Sequence, residues 1–186
     1  MARTLLARDG IGGAGRAWGA ASLGALPTAP DTLRYREVIG MFATGVAIVT
    51  CTGPDGPAGL TTNAITSLSL DPVLLLVCFD NTSRTLPAVR ASGRFAVNVL
   101  RAGQEDLARV FASKRVADDK FRAVTHTVDH GVPVIDGALA WLACDLVELH
   151  PGGDHTIGVG AVTQLDVPDE APPLVWFRGS YTTVQR

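Results

Sequence analysis

Val46-Ala47-Ile48-Val49-Thr50-Cys51, Gly53-Pro54-Asp55-Gly56, Ala58 to Ser69, and, after Asp71-Pro72, Val73-Leu74-Leu75-Leu76-Val77-Cys78-Phe79 follow one another in the chain. The first run is a strand by its β-branched content. The Gly-Pro-Asp-Gly step is a turn, so Ala58–Ser69 is expected to return antiparallel. Asp71-Pro72 breaks the chain again, and the uninterrupted apolar run after it reads as a fully buried strand. Strand, turn and strand with no crossover helix between them argue for an antiparallel sheet and against a doubly wound parallel one.

The same reading extends outward. Asp31 is placed to cap a helix whose Leu33, Val38, Met41 and Phe42 share much of one face, with Gly45 at its end. A short helix is expected over Leu86–Ala91, a strand over Phe95–Leu100, and a helix over Gln104–Phe111. Leu139–Leu149, His155–Val167 and Leu174–Phe177 complete six or seven strands. The expected fold is mainly β, an antiparallel barrel of Greek-key type with a few flanking helices.

Composition narrows the function. A chain of 186 residues is long enough for one domain with a real core. Its net charge of −2 lacks the broad basic field that nucleic-acid binding needs. No apolar run approaches the roughly 18 residues that span a bilayer. Three cysteines, Cys51, Cys78 and Cys144, form no CxxC pair and suit a reducing compartment, so a cytoplasmic protein is expected. Residues 1–30, rich in Ala, Gly and Arg, read as a flexible extension ahead of a domain over 31–186. They include a literal G-x-G-x-x-G at Gly10, Gly12 and Gly15, but no strand leads into it and no βαβ pattern follows.

Three clusters could carry chemistry. Gly59 to Ser69 packs six hydroxyl or amide side chains into eleven residues: Thr61, Thr62, Asn63, Thr66, Ser67 and Ser69. They could line a polar ligand or face solvent on an ordinary strand. Asp80-Asn81-Thr82-Ser83-Arg84-Thr85 opens a short helix and admits either a phosphate cradle or simple capping with a solvated arginine. Phe111-Ala112-Ser113-Lys114 adds a hydroxyl and a cation at a helix end. Gly152-Gly153-Asp154-His155-Thr156 could let a flat ring approach a histidine, or be a plain turn. His126, His130, His150 and His155 have no cysteine near them in sequence, and Thr125, Thr127 and Val128 favour an extended chain, so no metal site is expected. No G-x-S-x-G, P-loop or H-E-x-x-H is present.

Taken in order, several segments resemble the flavin reductase-like family, the small reductase components of two-component flavin-dependent monooxygenases. They are Thr44-Gly45-Val46, the Gly59–Pro72 segment, Asn81-x-Ser83-Arg84-Thr85, Ser92 to Leu100, Phe111-Ala112-Ser113, Gly153-Asp154-His155 and Phe177-Arg178-Gly179-x-Tyr181. The resemblance spans about Thr32 to Tyr181 and implies an FMN-binding split β-barrel, usually a homodimer. It implies a hydride transfer from NADH or NADPH to FMN or FAD, with reduced flavin passed to a partner monooxygenase. On this resemblance Thr61, Thr62, Asn63 and Ala64 run past the isoalloxazine and ribityl chain, with Ser67 in reach. Asn81, Ser83, Arg84 and Thr85 hold phosphate, and Phe111, Ser113 and Lys114 close the outer site. His155 sits where nicotinamide docks, as the catalytic residue, and Tyr181 lies near the ring. Where many relatives have a small or hydroxyl residue this chain has Ala64, whose side chain cannot hydrogen-bond, so only its backbone could take part. Two other readings on the same barrel are an oxidase with tightly bound FMN and a flavin-binding protein without turnover.

Overall fold

The computed structural model describes residues 30–113, 117–122, 124–168 and 170–184, the side chains of 117 and 118 excepted. The N-terminal extension with its glycine motif, and Lys114, lie outside the described residues. The elements run α1 (Thr32–Ile39), β1 (Thr44–Gly45), β2 (Ala47–Gly53), β3 (Gly56–Thr62), β4 (Ile65–Leu70), β5 (Val73–Asp80), α2 (Thr85–Ser92) and β6 (Arg94–Val99). There follow α3 (Glu105–Ala112), α4 (Ala117–Arg122), β7 (His126–Asp129), β8 (Val132–Ile135), β9 (Ala140–Gly152), β10 (His155–Asp166), β11 (Leu174–Phe177) and β12 (Ser180–Thr183). The protein is mainly β, as the sequence indicates, with a few short helices. Among the described residues, no helix is long and apolar enough to cross a membrane.

The principal sheet has seven antiparallel strands in the order β3-β2-β6-β9-β10-β5-β4. Its two edge strands, β3 and β4, are consecutive in the chain and separated by Asn63 and Ala64 alone. Laid flat, strands about 4.8 Å apart would hold those edges about 29 Å from one another. The link from Thr62 to Ile65 spans at most about 11 Å. The sheet therefore curls enough to bring the end of β3 beside the start of β4. This corrects the reading of Ala58–Ser69 as one returning strand: the chain leaves one edge at Thr62 and enters the other at Ile65. Smaller sheets, β1-β11-β12 and β7-β8, flank it.

Curling makes two cores. Residues 47–51 of β2 are all buried because alternate side chains enter different clusters. Ala47, Val49 and Cys51 pack with Val77, Phe79, Phe95 and Val97. On the other face, Val46 and Ile48 pack with Leu100, Phe111, Phe121 and Leu174 beneath α3 and α4. Strand β5, next to the edge strand β4 and expected to be buried throughout, alternates instead: Leu75, Val77 and Phe79 are buried, Leu74, Leu76 and Cys78 on the other face are half-buried, and Val73 at its start is exposed. Strand β10 carries Gly158 and Gly160 where the edge-to-face rings of Phe79 and Phe95 press against it. A Cβ on Gly160 would lie 2.5 Å from Phe95 Cζ and 3.0 Å from Cys144 Cβ. Gly160→Ala is therefore expected to cost about 1–3 kcal/mol through overpacking, read as a lower urea midpoint with an unchanged slope. An unchanged midpoint would mean that the Phe95 ring can swing clear.

At the N-terminal end, the Asp31 carboxylate accepts the Leu33 N–H at 3.0 Å, as a cap should, but the helix ends at Gly40 rather than Gly45. None of its residues is buried, and its apolar face stays largely exposed among the described residues. His126–Asp129 is extended, as its β-branched neighbours indicate.

Candidate functional site

Two adjoining cavities lie where the curled edge meets α3. The first, about 320 Å3, is bounded by Gly59–Thr61 of β3, the turn Asp80–Thr85, the end of α3 at Phe111–Ser113, and Lys120 of α4. The second, about 210 Å3, is walled by Thr62, Asn63, Trp176 and Tyr181, and shares Thr61 and Ala112 with the first. A more open hollow of about 760 Å3 lies between α1 and Arg178–Gly179. It contains none of the candidate residues, so volume alone does not mark it as the site.

The walls are fixed by short side-chain links. Thr61 Oγ1 donates to Ala108 O at 2.7 Å, tying β3 to α3. Thr62 Oγ1 accepts the Ala64 N–H at 3.0 Å, and Asn63 Nδ2 donates to Thr44 Oγ1 at 3.0 Å. Gly59 is demanded by contact: an added Cβ would stand 2.8 Å from Phe111 Cε1 and 3.1 Å from Val49 O. In the Asp80–Thr85 turn, Asp80 Oδ1 accepts from both the N–H and the hydroxyl of Thr82, and Ser83 Oγ accepts the Thr85 N–H at 3.0 Å. Ser83 thus supports the first turn of α2 while Arg84 stays exposed at the cavity rim. In the second cavity Trp176 and Tyr181 meet edge to face at 4.9 Å, and the Arg109 guanidinium lies 5.3 Å from the Tyr181 ring. Partial burial raises the Tyr181 phenol above its ordinary pKa, and Arg109 offsets part of that rise.

Lys120 is the charged group that sequence reading missed. It is 7% exposed, donates to Phe111 O at 2.9 Å and Gly59 O at 3.3 Å, and lies 5.9 Å from the Phe111 ring centre. Burial, with Arg84 as a second cation nearby, pulls its pKa below the ordinary lysine value. Ala-Asp-Asp-Lys-Phe-Arg carries no outward signal for this, because such a helix reads as a solvated surface. Trp176 was likewise visible only as one apolar residue of a last strand.

His155 opens β10 opposite Asp80 and Gly152. Its Nδ1 lies 2.8 Å from Asp154 Oδ1, a contact that holds the Asp154 carboxyl below the usual carboxylate range. Asn81 fastens this turn to the end of β5. Its N–H donates to Asp154 O at 3.1 Å, its Nδ2 to Gly153 O at 3.2 Å, and its Oδ1 accepts the Thr156 hydroxyl at 2.7 Å.

The structure therefore brings together Thr61, Ser83, Arg84, Thr85, Phe111 and Ser113 around the first cavity, and Thr61, Thr62, Asn63 and Tyr181 around the second. Ala64, Ser67, Asn81 and His155 line neither. The Ala64 N–H is taken by Thr62 and its carbonyl by Cys78 N at 2.9 Å. Ser67 is exposed on β4. The side chain of Asn81 is occupied by the Gly153–Thr156 turn rather than turned to the cavity.

Residues 39–185 match the family described as flavin reductase like domain. The chain is 40% identical over 158 residues to the reductase subunit HsaB of a flavin-dependent monooxygenase from Mycobacterium tuberculosis, covering 83% of each chain. It is 40% identical over 156 residues to an NADH-dependent flavin reductase from a Rhodococcus species, covering 82% of this chain and 86% of that one. Among solved structures, the NADH:FAD oxidoreductase SgcE6 of Streptomyces globisporus C-1027, in complex with NAD and FAD fragments, superposes with a TM-score of 0.79. Identity there is 36%, covering 87% of this chain and 98% of the other. With the family match running over residues 39–185 and relatives 40% identical over most of both chains, the chain belongs to the flavin reductase-like family.

Proposed function

We propose that the protein is an NAD(P)H:flavin oxidoreductase that supplies reduced FMN or FAD to a separate monooxygenase. The observation that carries this reading is the pairing of a hydroxyl- and guanidinium-lined cavity with an aromatic-walled one through shared Thr61 and Ala112. Such a pair suits a ligand with an anionic end and a flat ring. The donor set fits: Ser83, Thr85 and Arg84 for the phosphate, the Thr61–Asn63 strand for the ribityl chain and ring edge. A bound flavin accepts a hydride from reduced nicotinamide. The protein's work is to hold the ring against one wall, keep water out, and leave a face open on the His155 side. Hydride transfer asks for no strong general base, consistent with a site whose charged groups are mainly cationic.

On the same reading the curled seven-stranded sheet is a split barrel within one domain over 31–186. The apolar face of α1, with Leu33 67% and Val38 60% exposed, is covered in a homodimer. Cys51, Cys78 and Cys144 are free thiols, which suits the cytoplasm. The relatives' names support NADH as donor and a monooxygenase as partner. The test is direct: purified full-length chain mixed with NADH or NADPH and with FMN or FAD. Flavin-dependent oxidation of a nicotinamide is expected, and its absence with all four combinations would overturn the proposal.

A further inference from the structure

The chain has two lysines, Lys114 and Lys120. Lys120 is buried, and no ion pair joins it to a carboxylate among the described residues. An ammonium removed from water without a counter-ion is costly, and the Arg84 guanidinium is a second cation close enough to act on it. Two of its three N–H donors go to Phe111 O and Gly59 O, which leaves one for the cavity that it lines. Carbonyl dipoles account for its direction but neutralise no charge. The cavity is lined by two cations, Lys120 and Arg84, and by one carboxylate, Asp80, whose Oδ1 is taken by the N–H and hydroxyl of Thr82, and this cationic excess on a hydroxyl-lined wall suits an anionic group such as a phosphate monoester.

We infer that Lys120 is the buried half of a two-cation phosphate subsite, with Arg84 as the exposed half, and that it makes the protein select phosphorylated flavin over riboflavin. The inference rests on the flavin reading above and adds to it a residue outside the strand and turn clusters. Lys120 holds its place through the carbonyls of β3 and α3, so the ligand meets a preset charge. Arg84, at the rim, closes on the same phosphate from solvent.

The test separates charge recognition from simple strapping of β3 to α3. Dissociation constants for FMN and for riboflavin are measured by quenching of flavin fluorescence on the full chain and on Lys120→Gln and Lys120→Arg. The substitution K120Q is expected to weaken FMN binding about tenfold or more and riboflavin binding less than about twofold, while K120R keeps most of the preference for FMN. Equal losses for both flavins would make Lys120 a structural strap and overturn the inference. Should K120Q not fold, the unaltered protein still decides. With lysine labelled at Cε, its spectrum holds two lysine signals, assigned through Lys114→Arg. The Lys120 signal must move with FMN and not with riboflavin, and an equal movement with both overturns the inference. Failure to bind any flavin would overturn the functional reading as well, whereas binding without phosphate preference removes this inference alone.

Discussion

Replacing Asn98 with alanine is expected to lower the unfolding free energy by about 3–5 kcal/mol. Asn98 lies in β6, is fully buried, and bridges three elements. Its Nδ2 donates to Ile48 O and to Thr50 Oγ1 on β2, both at 3.0 Å, and its Oδ1 accepts the Ile135 N–H of β8 at 2.8 Å. Thr50 in turn donates to Pro133 O, so one amide closes a network between the main sheet and the β7-β8 hairpin. Truncation leaves the Ile135 N–H and the Ile48 carbonyl without this partner in a dry interior, at about 1–3 kcal/mol for each group. The vacated space adds a cavity cost. Asn98→Asp keeps the acceptor for Ile135 but loses both donors and buries a charge, so it should be no better than alanine at neutral pH. Urea unfolding followed by tryptophan fluorescence measures both variants. A double-mutant cycle with Thr50→Val should return a coupling of about 0.5–3 kcal/mol, because the two side chains share a hydrogen bond. A loss below about 1 kcal/mol for Asn98→Ala would mean that water reaches the network.

This network illustrates where sequence reading stops. Phe95–Leu100 is legible as a strand from its apolar and β-branched residues, and Asn98 stands out within it as the polar exception. Its partners on β2 and β8 lie 48 and 37 positions away in the chain, and no local pattern points to them. The same limit explains the break at Asn63–Ala64. The composition of 58–69 is uniform enough to read as one strand, and only the long-range order of the sheet sends its halves to opposite edges. Strand β5 misled for a related reason. An uninterrupted apolar run normally means burial on both faces, yet here Leu75, Val77 and Phe79 are buried while Leu74, Leu76 and Cys78 on the other face are only half-buried. At the site, Thr61, Ser83 and Arg84 stand out in the sequence because hydroxyls and a guanidinium beside turns carry a chemical meaning of their own, whereas Tyr181 enters only through the family resemblance. Lys120 was not, since its importance comes from being buried, and burial of a polar helix is decided by what packs over it.

Replacing His155 with alanine is expected to lower kcat/KM for NADH about ten- to a hundredfold while shifting the FMN dissociation constant less than about twofold. The separation follows from position. His155 lines neither cavity, so its loss should leave the flavin contacts in place. Its Nδ1 is engaged by Asp154, which leaves Nε2 to meet an incoming ligand. Asn81→Ala supplies the graded comparison. It keeps the imidazole but cuts the links to Gly153 O and the Thr156 hydroxyl, so the turn loosens and NADH is met less often in a productive pose. Its effect on kcat/KM should be several-fold, smaller than that of His155→Ala, and concentrated in KM. Stopped-flow reduction of bound flavin separates the hydride step from nicotinamide binding. If His155→Ala instead weakened FMN as strongly as it slowed NADH oxidation, the histidine would belong to the flavin site, and the open face of the ring would have to be sought on the Tyr181 side.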